Sequence, residues 1–195
     1  MKQEFTLTIY TENQVGLINK IAILFSRRKI NIESLNTSPS EIKNIFRFTL
    51  VINETETTIK NIVRQLEKII DVFKVFYNTN DEIIWQQMAL YKVPTAIIIK
   101  NVKVERLLRE FGAKAVVIRD DYTVFETTGH DQEVNNLLTE LDKYGLIEFV
   151  RSSRIAIIKS SEGVHKKMLD MEKNNPTKLP INNDFLNHKS MIFEM

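Results

Sequence analysis

Apolar and polar residues follow two alternating periods along the first 160 residues of the chain. Over residues 4–11 apolar side chains alternate with threonine and tyrosine, and this period of two predicts a half-buried β-strand. Residues 12–35 then read ENQVGLINKIAILFSRRKINIESL. In that stretch a turn at Gly16 is followed by apolar residues at helical spacing, which predicts a helix over residues 15–28.

The same two periods continue to about residue 77. Strands are predicted over residues 30–38 and 45–52, joined by a polar loop that contains Pro39. A second helix is predicted after Thr55, and a closing strand over residues 72–77. The order βαββαβ is typical of the split ferredoxin-like unit, in which two helices cover one face of an antiparallel sheet.

A polar break at residues 78–81 separates this unit from a second stretch with the same order of patterns. Its predicted elements are strand 85–93, helix 104–111 before Gly112, strands 115–118 and 122–128, a helix through Val134 to Leu141, and a last strand 147–158 that is either long or broken at Ser152-Ser153. The sequence therefore predicts an α+β protein of two tandem ferredoxin-like βαββαβ units.

The segment that begins at Pro94 allows two interpretations. Its isoleucine-rich sequence at 95–99 extends the preceding strand, or Thr95 caps a helix that runs to Phe111. We favour the helix, because a proline inside a strand removes a hydrogen bond from the ladder unless that strand lies at an edge.

Three regions follow from these patterns: residues 1–78, residues 82–160, and a polar tail at 161–195 that is expected to be partly helical or mobile. Domains of about 80 residues bury only about 60 to 65% of the surface that the unfolded chain exposes. We therefore expect the chain to form an oligomer.

The charge and the cysteine content limit the function classes. Lysine and arginine number 27 against 25 acidic residues, a balance that argues against a nucleic-acid partner. The chain has no cysteine, which excludes disulfides and thiol nucleophiles and fits a reducing compartment. The N-terminus lacks the apolar core of a signal peptide, and no apolar run approaches the length of a membrane span. We expect a cytoplasmic protein with no membrane association.

Catalytic and metal-binding motifs are not evident in the sequence. The three histidines, His130, His165 and His188, stand far apart and are interpreted as solvent-facing residues. The five glycines are scattered, so that no phosphate-binding loop is formed. We expect a non-catalytic chain without a metal or cofactor of its own.

The turn before the first helix is the candidate binding site. A helix N-terminus presents unpaired N–H groups and a partial positive charge, so the segment from Asn13 to Ile18 is suited to a small carboxylate. Asn31, at the start of the following strand, is a second polar group. The alternative is an ordinary strand-to-helix connection, in which asparagine serves as a cap.

The stretch TENQVGLINKIAILFSRRKINIESL resembles the start of the ACT domain in the small, regulatory subunit of acetohydroxyacid synthase, also called acetolactate synthase. The resemblance continues through IFRFTLVI at 45–52, IVRQLEKIIDVFKV at 62–75, QQMALYKV at 86–93, TGHDQEVNNLL at 128–138 and VRSSRIAI at 150–157. The first predicted domain is then an ACT domain, and the second is the family's C-terminal ferredoxin-like domain.

The resemblance implies a non-catalytic subunit that binds and activates a catalytic large subunit. That partner would carry thiamine diphosphate, Mg²⁺ and FAD, and would condense pyruvate with pyruvate or 2-oxobutyrate in branched-chain amino-acid synthesis. The resemblance also implies feedback inhibition by a branched-chain amino acid, valine first, bound between the ACT domains of a homodimer. By the same resemblance, the effector contacts fall on Asn13, Gly16, Leu17 and Ile18 of one chain and on Asn31 and Ile32 of the other.

Two positions depart from the family pattern. Lys29 stands where the family often has the glycine that ends the first helix, and Leu17 is bulkier than the alanine or valine of many members. We therefore expect Leu17 to narrow the effector pocket. A free-standing ACT-domain amino-acid sensor for another enzyme and, more remotely, a ferredoxin-like RNA-binding module are the alternative functions.

Overall fold

A computed structural model of the chain describes residues 1–161 together with residues 163 and 166. The remainder of the tail predicted at 161–195, including His165 and His188, lies outside the described residues. The chain divides into two compact units: unit 1 contains Met1–Ile84 and the described residues from Ile157 onward, and unit 2 contains Trp85–Ala156.

Unit 1 has the predicted order of elements. They are β1 (Gln3–Glu12), α1 (Leu17–Arg27), β2 (Ser34–Pro39), β3 (Ile45–Glu54), α2 (Glu56–Leu66) and β4 (Val72–Asn78). The four strands form an antiparallel sheet in the order β2-β3-β1-β4. This arrangement leaves β2 and β4 at the edges of the sheet.

The core of unit 1 lies between this sheet and the two helices. One stripe of each helix is buried, because apolar residues recur every three or four positions along α1 and α2. Every second residue of β1 and β3 meets those stripes. The core includes Leu17, Ile21 and Phe25 of α1, Ile59, Ile62 and Leu66 of α2, and Phe5, Leu7, Ile9, Leu50 and Ile52 of the sheet.

The end of α1 adopts a left-handed C-terminal cap without glycine. Lys29 has φ 55°, and its N–H donates to the carbonyl of Ser26 at 3.0 Å. The N–H of Ile30 donates to the carbonyl of Phe25 at 3.1 Å, which completes a Schellman motif. Lysine thus occupies the backbone conformation that glycine usually supplies.

Unit 2 repeats the same order with two additional elements. Its elements are β5 (Ile83–Pro94), α3 (Thr95–Lys100), α4 (Val102–Glu110), β6 (Lys114–Ile118), β7 (Tyr122–Gly129), α5 (Asp131–Asp142), β8 (Glu148–Arg151) and β9 (Ile155–Ile158), of which β5 and β9 each extend two residues beyond the bounds of the unit. The sheet order is β6-β7-β5-β8, and β9 also pairs with β5. The α+β class with two ferredoxin-like units, predicted from the sequence, is confirmed.

Two ambiguous segments are settled by the structure. Residues 95–100 form a helix, as favoured, but a second helix begins at Val102 because Asn101 interrupts the first and caps the next: its side chain accepts from the N–H of Lys103 at 3.1 Å. Thr95 is the first helical residue rather than a cap, and its hydroxyl donates to the carbonyl of Arg119. The last strand is broken, into β8 and β9.

Two side chains pack against Trp85 near the start of β5. The guanidinium carbon of Arg154 lies 3.7 Å from the centre of the Trp85 ring, and Arg154 is buried, with 3% of its surface exposed. The ring of His130 packs edge-on against Trp85, with 4.4 Å between centroids. His130 is exposed, as expected, but its ring also contacts a neighbour.

Candidate functional site

The turn between β1 and α1 leaves the start of α1 without a side-chain cap. The residue before the helix is Gly16, with φ 83°, and glycine has no side chain that could accept a hydrogen bond from the first turn. In α2, by contrast, the hydroxyl of Thr55 accepts from the N–H of Thr58, and Glu56 adds a negative charge to the first turn. The N–H groups of Leu17 and Asn19 donate to the carbonyls of Gln14 and Gly16, whereas those of Gly16 and Ile18 have no hydrogen-bond partner among the described residues. The start of α1 therefore offers these two N–H groups, and the positive end of the helix dipole, to an external anion.

Side chains around this turn differ in their exposure. Asn13 and Val15 are exposed, and Ile18 retains 42% of its accessible surface. Leu17 retains only 2%, because it belongs to the buried stripe of α1. The expectation that Leu17 narrows an effector pocket is wrong, because its side chain is buried in the core and only its main chain faces the turn.

The backbone conformation at position 16 favours glycine, although there is space for a larger side chain. Its φ of 83° is a conformation that residues with a β-carbon rarely adopt. Apart from its two neighbours in the chain, no described residue has an atom within 4 Å of the position that a β-carbon would take. The space beside Gly16 is therefore open to a ligand.

The second group of predicted site residues lies between α1 and β2. The side chains of Ile30 and Ile32 pack against the core of unit 1, so Asn31, which alternates with them, is exposed. Asn31 Nδ2 donates to Glu33 Oε1 at 3.0 Å. Glu33 is a polar neighbour of the site that the sequence interpretation missed, although the spacing of two residues in an extended segment places both side chains on one side.

The two groups of residues occupy opposite ends of α1. The helix contains 11 residues, which corresponds to a length of about 16 Å. Asn13, Gly16, Leu17 and Ile18 are brought together at its start, whereas Asn31 and Ile32 follow its end. A single chain therefore does not place both groups on one amino acid.

One side of α1 connects these two ends and carries small or apolar residues. Lys20 Nζ lies 2.6 Å from Asp71 Oδ2, so the side of the helix that carries Lys20 faces the loop between α2 and β4. Successive helical residues are rotated by about 100°, which directs Ile18 and Ala22 to roughly the opposite side of α1. Both are exposed. Ala22, at the midpoint of the helix, was also missed from the sequence.

Two other kinds of feature are absent from the described residues. Within the part of the chain that the structure describes, no group of three His, Cys, Asp or Glu side chains could hold a metal ion. None of the described helices is long and apolar enough to cross a membrane.

Comparison with known families gives a separate match for each half of the chain. Residues 7–74 match the model of the AHAS small subunit-like ACT domain, and residues 86–160 match the model of the small subunit of acetolactate synthase. The acetolactate synthase small subunit of Bacillus subtilis is 32% identical over 163 residues, which cover 83% of this chain and 93% of that protein. The Mycobacterium leprae small subunit is 30% identical over 159 residues, which cover 82% and 94%.

A solved structure shows the same fold. The crystal structure of the acetolactate synthase small subunit from Thermotoga maritima superimposes with a TM-score of 0.74 at 24% identity, covering 82% of this chain and 99% of that one. The fold and the matches define a protein with an N-terminal ACT domain followed by a second ferredoxin-like unit. The chain belongs to the family of acetolactate synthase small subunits, and its role is that of a regulatory subunit.

Proposed function

We propose that this chain activates a catalytic acetolactate synthase subunit and makes it sensitive to feedback inhibition by a branched-chain amino acid, with valine as the first candidate. The observation that carries the effector part of the proposal is the uncapped start of α1 at Gly16, beside the exposed Asn13. The family supports the regulatory part.

The proposed ligand chemistry follows from the groups at the site. The N–H groups of Gly16 and Ile18 would hold the carboxylate, because they have no partner among the described residues and lie at the positive end of a helix. Asparagine oxygens would accept hydrogen bonds from the ammonium. The side chains of Ile18 and Ile32 would surround the branched hydrocarbon. Leu17 would contribute its main chain only, since its side chain is buried.

The complete site requires a homodimer in this proposal. A two-fold axis near the middle of α1 would place the end of one helix beside the start of the other, and so bring Asn31 and Ile32 of one chain to the turn of its partner. Two features support this arrangement: the exposed side of α1 that carries Ile18 and Ala22, and the position of β2 at the edge of its sheet. An edge strand has main-chain groups available for pairing with another chain.

The catalytic partner supplies all the chemistry of the reaction in this proposal. Thiamine diphosphate, Mg²⁺ and FAD would be bound by the large subunit, and this chain would bind none of them. A cytoplasmic location belongs to the same proposal, since a chain without cysteine fits a reducing compartment.

The test is an assay with and without the catalytic subunit. The purified chain, supplied with pyruvate, thiamine diphosphate and Mg²⁺, is expected to form no acetolactate. Added to its catalytic subunit, it is expected to raise the rate and to introduce inhibition by valine. A partner that contains flavin and thiamine should also be recovered by the chain from a cell extract. Recovery of a different enzyme, with no effect on acetolactate formation, would favour the free-standing sensor.

A further inference from the structure

The segment between α1 and β2 is held rigidly at both ends. The N–H of Ile30 donates to the carbonyl of Phe25 at 3.1 Å, and the N–H of Glu33 donates to the carbonyl of Val51 at 2.9 Å. Between these points the side chains of Ile30 and Ile32 pack inwards, which leaves Asn31 and Glu33 exposed on the outer side. The fold of unit 1 thus determines the backbone positions of Asn31 and Glu33 and the side of the segment on which both side chains lie.

The hydrogen bond between these side chains has a fixed direction. Asn31 Nδ2 donates to Glu33 Oε1 at 3.0 Å. An ionised carboxylate can only accept, so Glu33 binds the NH₂ group of the amide and cannot bind its oxygen. The NH₂ group keeps a second hydrogen, but the carbonyl oxygen of Asn31 is the one acceptor that this amide offers to a ligand, and the nearby negative charge strengthens its character as an acceptor.

We propose that Glu33 is a positioning residue, which orients Asn31 so that the effector site selects an α-amino acid against the 2-oxo acid of the same carbon skeleton. This inference rests on the proposed function, in which Asn31 of one chain contacts the ligand at the helix start of the other. An amino acid brings an ammonium donor to the Asn31 oxygen. A 2-oxo acid brings a keto oxygen, which is repelled by that acceptor and by the carboxylate behind it.

Selection of the amino acid against the 2-oxo acid is useful because the substrates of the proposed catalytic partner are themselves 2-oxo acids. Valine and 3-methyl-2-oxobutanoate share the carboxylate and the branched side chain, so the helix start and the apolar residues do not separate them. Only the group at the second carbon differs between the two. A site that distinguishes the ammonium from the keto oxygen binds the amino acid and does not bind compounds that resemble the substrates.

The experiment measures the affinity of the full chain for both compounds. Isothermal titration with L-valine and with 3-methyl-2-oxobutanoate is carried out on the wild type, Glu33→Gln, Glu33→Asp and Asn31→Ala. Glu41→Gln is the control, because it removes the same charge from an exposed position beyond the far end of β2. Thermal melts of every variant show whether the fold is retained.

We expect Glu33→Gln to bind valine roughly three- to tenfold more weakly, since a glutamine amide accepts without charge and also allows the Asn31 amide to turn around. Affinity for the oxo acid should stay constant or rise, so the ratio of the two affinities falls. Glu33→Asp should lie between the wild type and Glu33→Gln, and Glu41→Gln should match the wild type.

Two different failures are distinguishable. If Asn31→Ala weakens valine binding while Glu33→Gln retains the wild-type ratio, Asn31 is a ligand but Glu33 does not orient it, and the inference is overturned while the proposed function stands. If the wild type binds neither valine nor leucine nor isoleucine, the effector site itself is wrong, and both proposals are overturned.

Discussion

Asn13 stands at the exposed entrance to the turn before α1, next to the helix start that is proposed to hold the effector carboxylate. We expect Asn13→Ala to weaken inhibition by valine roughly ten- to hundredfold, because a hydrogen bond to a charged group contributes about 1.5–3 kcal/mol. Activation of the catalytic subunit should persist, since effector binding and subunit docking would use different surfaces. Valine inhibition curves of the reconstituted enzyme measure both quantities.

The matched control for this variant is Asn53→Ala, which removes an exposed asparagine at the end of β3. It should leave inhibition unchanged. If Asn13 were merely a structural residue of the turn, Asn13→Ala would lower the melting temperature. The valine concentration that gives half-maximal inhibition would then be the same as for the wild type. That result would end the assignment of Asn13 to the site.

Lys29 has a strained, left-handed backbone conformation at the end of α1. A residue with a β-carbon in the left-handed region costs about 1–2 kcal/mol relative to the right-handed one, and glycine avoids this cost but loses more entropy on folding. We therefore expect Lys29→Gly to stabilise unit 1 by roughly 0.5–1 kcal/mol. Urea unfolding followed by circular dichroism measures the change.

The end of α4 in unit 2 has a comparable cap that already contains glycine, so the reverse substitution there serves as the control. Gly112 has φ 61° after α4, where the N–H of Ala113 donates to the carbonyl of Leu108 at 2.8 Å, as in the cap of α1. Gly112→Ala should destabilise unit 2 by about 1 kcal/mol. A loss of stability in Lys29→Gly, or no loss in Gly112→Ala, would show that the left-handed conformation is not what limits these two helix ends.

At the scale of elements, the exposed side of α1 predicts how two copies meet. Ala22 is the middle residue of the helix and lies on the side turned away from the α2–β4 loop. A two-fold axis between antiparallel α1 helices would bring two copies of Ala22 into contact, where a small side chain permits close approach. We expect Ala22→Lys to convert the proposed dimer to monomer, because it adds bulk and two like charges at one point. Sedimentation velocity measures the change.

The control for this surface is Ala96→Lys, an exposed alanine in α3 of unit 2. It introduces the same side chain into a helix that the proposal leaves outside the dimer interface, and it should sediment as the wild type does. A dimeric Ala22→Lys protein would place the interface elsewhere.

The order of elements was predictable because each strand and helix carries its own hydrophobic period. Strand β1 and helices α1 and α2 are examples, and their bounds in the structure differ from the predicted ones by only a few residues. The break at Asn101 was not predicted, since a single asparagine can sit inside a helix or cap a new one.

The candidate site was less accessible to sequence reasoning. The pattern pointed to the segment from Asn13 to Ile18 and to Asn31, and the resemblance named the six contacts and divided them between two chains. The six are Asn13, Gly16, Leu17, Ile18, Asn31 and Ile32, and their role in binding an effector stays a prediction. That the Leu17 side chain would point into the core depends on where the helix begins, which a pattern locates only within a few residues. The bond between Asn31 and Glu33 depends on side-chain conformations that the sequence does not specify.

At the scale of the whole molecule, dimerisation is expected to depend on the first unit. We expect deletion of residues 1–78 to abolish the proposed main dimer, because the proposed interface and the proposed effector site both lie in the ACT domain. Sedimentation equilibrium of the 82–195 fragment beside the intact chain measures this. A fragment that associates as strongly as the intact chain would assign the interface to the second unit.

Trp85 provides a fluorescence signal that reports on unit 2 alone. It is the only tryptophan in the chain, it belongs to unit 2, and it is enclosed by the Arg154 guanidinium and the His130 ring. Tryptophan emission should therefore change when unit 2 unfolds and Arg154 leaves the ring, whereas unfolding of the ACT domain contributes only through tyrosine and circular dichroism. Melting curves from the two signals coincide if the chain unfolds in a single transition and separate if each unit unfolds alone. One unlabelled sample thus shows whether an effector, added in excess, stabilises only the half of the chain to which it binds.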